Sequence, residues 1–98
     1  MKVSVYQSEL NKEIEMELYG RLRYIGKTCG ILTLTNNKIY DCVGIDNELL
    51  RIVDDEGEDY LYPIKNPKPL DEFEYKGGKW ELVECFNDEL LEALNKYA

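Results

Sequence analysis

Hydrophobic and polar residues alternate most regularly from Leu49 to Pro63, LLRIVDDEGEDYLYP. Leu50 and Ile52 fall on one face of a first strand, with Leu49, Arg51 and Val53 on the other. After an acidic break, Tyr60 and Tyr62 share a side and Leu61 opposes them. This two-residue period predicts a β-hairpin. Asp55-Glu56-Gly57 supplies its turn, with Gly57 where a three-residue loop needs positive φ.

Similar alternation runs elsewhere. Val3 and Val5 mark a short strand over Lys2–Gln7. From Ile14, one side carries Met16, Leu18, Gly20, Leu22, Tyr24 and Gly26, predicting one or two strands broken or bulged near Gly20. A helix over Ser8–Tyr19 competes, because Leu10, Ile14 and Leu18 also recur at helical spacing. It would stack Glu9, Glu13 and Glu17 in a like-charge ladder, which favours the strand. Lys38–Ile45 is a further strand, with Tyr40, Cys42 and Gly44 opposing Ile39, Asp41 and Val43.

Asn66-Pro67-Lys68-Pro69 is a stiff loop. Beyond it, Glu72–Tyr75 and Lys79–Val83 flank Gly77-Gly78 and predict a last hairpin, with Trp80 and Leu82 on one face. The tail predicts a helix over 87–97. Asn87 caps it, Asp88 and Glu89 open it, and Phe86 and Leu91 stand at staple positions. Phe86, Leu90, Ala93, Leu94 and Tyr97 form the face that lies against the strands. The fold expected is mainly β, a small barrel or sandwich of five to seven antiparallel strands with a C-terminal α-helix.

At 98 residues the chain is read as a single domain, 44% hydrophobic and 33% charged. Residues 1–19 form an N-terminal extension, 20–85 the barrel and 87–97 the helix. The longest apolar run is only a few residues, and neither terminus resembles a targeting segment, so a cytoplasmic protein with no membrane partner is expected. Cys29, Cys42 and Cys85 lack CxxC spacing and read as reduced core thiols.

A net charge of −8 argues against binding a phosphate backbone. Any nucleic-acid contact would run through Arg21, Arg23 and Lys27 beside Tyr24. Residues 18–40 hold four cations and no acid, whereas 41–62 hold eight acids against Arg51 alone. The two stretches either compensate across neighbouring strands or leave an acidic face that steers a basic partner.

Candidate chemistry is sparse. With no histidine, the commonest general base and metal ligand are both missing. The run Asp54-Asp55-Glu56-Gly57-Glu58-Asp59 lacks the spacing of an EF-hand loop, and neighbouring residues on a hairpin point to opposite faces. No metal, cofactor or catalytic residue is assigned. Eight tyrosines stand out instead. Tyr40, Tyr60 and Tyr62, with Trp80, come from strands that would be neighbours, either filling the core or joining the acidic hairpin in a binding surface.

The segments RYIGK at Arg23–Lys27, KIYDCV at Lys38–Val43, LRIVDDEGEDYLYP at Leu50–Pro63, NPKPL at Asn66–Leu70 and GGKWELVE at Gly77–Glu84 resemble uncharacterised bacterial and phage-associated domains with an SH3-like barrel. The resemblance covers roughly residues 20–85 and implies a fold, not an activity. The aromatic motif of proline-peptide binders is missing after Lys27. The expectation is a non-enzymatic protein-interaction module whose surface is Tyr40, Tyr60, Tyr62, Asp54, Asp55, Glu56, Glu58 and Asp59, facing a protein with a basic surface. The alternative is an acidic inhibitor or immunity-type protein that blocks the basic site of a nuclease or other nucleic-acid-binding protein.

Overall fold

A computed structural model describes residues 1–98. The chain is mainly β: seven antiparallel strands in two sheets, followed by one helix. The N-terminal pair is β1 (Lys2–Gln7) and β2 (Lys12–Glu17). They are joined by a turn in which Asn11 has φ of 52°. The alternation from Glu13 therefore belongs to strand, not helix, and it breaks at Leu18 before β3 (Gly20–Ile25).

The second sheet is built from β3, β4 (Ile39–Asp46), β5 (Leu49–Val53), β6 (Asp59–Pro63) and β7 (Lys79–Cys85), in the order β6-β5-β4-β3-β7. The two sheets are not closed into one continuous barrel. Between the edge strands, Trp80 Nε1 donates to the Pro63 carbonyl at 3.1 Å. Helix α1 (Asp88–Tyr97) follows, and its Asn87 cap accepts from the Glu89 N–H at 2.9 Å.

The inward faces of this sheet and the helix, with Leu34 of the β3–β4 loop and Ile64 just after β6, make one core that also holds Leu22, Tyr24, Tyr40, Cys42, Leu50, Ile52, Tyr62, Leu90 and Ala93. Removing this apolar surface from water is the main favourable contribution to the fold. Gly20 lets the layers approach, since a Cβ there would collide with the Glu84 carbonyl and meet Leu90 Cδ2 at 2.5 Å. Val43 interrupts the β4 alternation because the register shifts between Cys42 and Gly44, and it is buried beside Cys42. The helix is too short and too polar to cross a membrane.

Two expectations need correction. Glu72–Tyr75 is not a strand, and β7 pairs with β3. Glu72 Oε1 accepts from the N–H groups of Glu74 and Tyr75, which curls that segment, while the Tyr75 hydroxyl accepts from the Lys27 N–H at 2.9 Å. In its place beside β3, Trp80 makes edge-on contacts with Tyr24 and Tyr40, at ring separations of 5.8 and 6.5 Å. Cys85 is exposed, unlike the buried Cys29 and Cys42, because it ends an edge strand.

Candidate functional site

The β5–β6 hairpin closes as its sequence predicts. Gly57 N–H donates to the Asp54 carbonyl at 2.9 Å, and Asp54 N–H donates to the Glu58 carbonyl at 3.2 Å. The loop is therefore Asp55-Glu56-Gly57, with Gly57 at φ 86°. Adjacent carboxylates around it go to different places.

Asp55 turns toward the loop between β3 and β4. It accepts from Lys38 Nζ at 2.5 Å, Thr35 Oγ1 at 2.6 Å and the Tyr40 hydroxyl at 2.9 Å. Burial alone would raise its carboxyl, but those three donors hold it below the ordinary aspartate range. Asp59 is paired with Arg51 at 2.9 Å and accepts from Gln7 of the N-terminal hairpin. Glu58 accepts from the Ser8 N–H at 2.7 Å.

Asp54 turns inward. Its Oδ2 accepts from the Tyr62 hydroxyl at 2.6 Å and its Oδ1 from the Glu56 N–H at 3.0 Å. Desolvation raises its carboxyl above the ordinary range despite these two bonds. Desolvation also pushes the Tyr40 phenol up to about 12, and raises Tyr62 together with the neighbouring Asp54.

The expected surface is thus divided. Tyr40 and Tyr62 are 3% exposed and belong to the core, so neither can touch a partner. Their positions lie over the sheet interior, where ring burial is favourable and each hydroxyl finds a carboxylate. Tyr60 shares the inward side, opposite the buried Ile52, but it stands on the edge strand β6 and is 43% exposed. Nor do the carboxylates all lie in water, since Asp54 is buried and the Asp55 and Asp59 side chains are largely covered by their partners.

What remains is a cleft of about 520 Å³ lined by Thr33, Asp54, Glu56, Tyr60, Leu61, Tyr62, Pro69, Leu70 and Asp71. It holds three carboxylates and no lysine or arginine. Glu56 and Asp71 are exposed there, beside the exposed Tyr60 and Leu70. Desolvation and the nearby carboxylates of Glu56, Glu58 and Asp54 raise the Tyr60 phenol, so it stays neutral. No local period marks Thr33, Leu61, Pro69, Leu70 and Asp71 as one site, because they come from a loop, a strand and a second loop. The NPKPL segment is the one available signal, but its prolines predict a loop and its resemblance implies a fold rather than a site. No cluster of three acidic or thiol side chains is arranged to hold a metal ion.

No protein-family model, curated protein or solved structure matches the chain.

Proposed function

We propose that this chain is a non-enzymatic protein-interaction module on an SH3-like frame, which takes a basic segment of a protein partner into the cleft beside β6. The carrying observation is the lining: the exposed carboxylates of Glu56 and Asp71, an exposed tyrosine and apolar side chains, with no cation among them. Such a cleft favours a cation attached to an apolar body. Tyrosine adds rigid contact area there, and the carboxylates supply orientation and association rate. The strand order, the long connection from β3 to β4 and the resemblance over residues 20–85 support the SH3-like reading.

The inhibitor alternative rests on the acidity of residues 41–62. Asp41, Asp55 and Asp59 are paired with Arg21, Lys38 and Arg51, and Asp54 is buried, which weakens the case for a broad acidic face.

The test is a calorimetric titration with acetyl-Arg-Val-Arg-Val-Arg-Val-amide and its Glu-for-Arg counterpart. The arginine peptide binds, and its affinity falls with added salt. Glu56→Gln with Asp71→Asn weakens it by about threefold to tenfold, and Tyr60→Ala by about fivefold or more. Equal binding of the two peptides, or indifference to all three substitutions, refutes the proposal.

A further inference from the structure

β6 is an edge strand, with β5 on one side and no strand on the other. Its backbone polarity can be assigned from two bonds. Ile64 N–H donates to the Glu48 carbonyl at 2.9 Å, and Asp54 N–H donates to the Glu58 carbonyl. Both pairs fall in the register that matches Leu50 with Tyr62 and Ile52 with Tyr60. Bonded and unbonded pairs alternate across an antiparallel ladder, so Tyr60 and Tyr62 direct their backbone groups at β5. Asp59, Leu61 and Pro63 direct theirs away from it. The Pro63 carbonyl, which accepts from Trp80 Nε1, does point that way. Asp59 and Leu61 are left offering an N–H and a carbonyl each, at the spacing of alternate residues in an extended chain.

The cleft lies along this edge. Tyr60, Leu61 and Tyr62 line it consecutively, although alternate side chains of a strand leave by opposite faces. Consecutive lining follows when a cleft runs beside the strand's backbone rather than over one of its faces. Pro69, Leu70 and Asp71 form its other wall.

We infer that the basic segment binds as an added β-strand, pairing its backbone with Asp59 and Leu61 of β6. The inference rests on the cleft being the partner site and goes further by fixing the ligand's conformation. The occupant is an extended peptide with Lys or Arg at alternate positions and apolar, strand-forming residues between them. Its cations meet Glu56 and Asp71, its apolar groups meet Tyr60 and Leu70, and its main chain supplies the affinity that strand addition gives. Charge complementarity selects this occupant over a second copy, whose net charge is also −8.

The test uses the full chain and two N-methylated forms of acetyl-Arg-Val-Arg-Val-Arg-Val-amide, one methylated at the arginines and the other at the valines. An added strand aims only every second amide at its neighbour. One methylated peptide should therefore lose about tenfold in affinity while the other stays within about twofold of the parent. If the parent binds and both methylated forms match it, or both weaken alike, strand addition is overturned while the cleft assignment stands. If the parent does not bind, both fall together.

Discussion

The two sides of the β5–β6 hairpin carry similar residues in opposite electrostatic settings. On one side, Asp55 and Asp59 face Lys38 and Arg51 and close contacts with the β3–β4 loop and the N-terminal hairpin. On the other, Glu56 and Asp71 stand exposed in a cleft with no cation in its wall, where the third carboxylate, Asp54, is buried and bonded to Tyr62. Charge counted along the chain does not distinguish them. The strand or loop that lies opposite each residue decides whether its carboxylate becomes a structural tie or remains free to attract a ligand.

That contrast can be broken one residue at a time. Asp55→Ala should have the largest effect on stability, because it removes the common acceptor of Lys38, Thr35 and Tyr40. Urea denaturation should show a loss of about 2–3 kcal/mol, most of it from the stranded hydroxyls rather than the half-exposed lysine. Asp54→Ala should cost about 1–3 kcal/mol by leaving the buried Tyr62 hydroxyl without its acceptor. Asp54→Asn should cost under about 1 kcal/mol, since the amide can bond both Tyr62 and the Glu56 N–H. Gly57→Val should cost about 1–2 kcal/mol, from backbone strain alone, because a Cβ at Gly57 meets nothing within 4 Å. Glu56→Gln with Asp71→Asn should leave stability within about 0.5 kcal/mol while weakening peptide binding.

The same pair of neighbours should respond oppositely to acid. The Asp55 carboxyl is depressed on folding, so it stabilises the fold above the unfolded value of about 3.9, and that contribution is lost as pH falls through the lower folded value. The Asp54 carboxyl is raised on folding, so stability declines as pH rises from the unfolded value through the higher folded one. In denaturation measured from pH 2 to 7, Asp55→Asn should flatten the acid-side loss. Asp54→Asn should make that loss steeper by removing the opposing contribution.

Local pattern made much of the frame legible. Leu50 and Ile52 are buried as their alternation requires, Gly57 has positive φ, and Asn87 caps the helix. Pattern failed where a distant residue intervened. The Tyr75 hydroxyl serves the loop after β3, so Glu72–Tyr75 never becomes β7's partner. Tyr60 and Tyr62 occupy the same side of one edge strand, yet only Tyr62 is buried, with its hydroxyl on Asp54, and no sequence period separates the two. The acidic run was visible as a candidate site. That Asp55 and Asp59 would be neutralised, and that Asp71 would join Glu56 from a separate loop, depended on tertiary placement.

The central claim is that the acidic cleft along β6 is where a basic partner binds. Amide shift mapping of the isotope-labelled chain during titration with acetyl-Arg-Val-Arg-Val-Arg-Val-amide tests it most directly. The account predicts that perturbations concentrate at Glu56, Tyr60, Leu61, Leu70 and Asp71, and leave Asp41, Glu84 and the helix unmoved. Saturable perturbations centred on the helix or on the β3–β7 face, with Tyr60 and Leu61 silent, would contradict it.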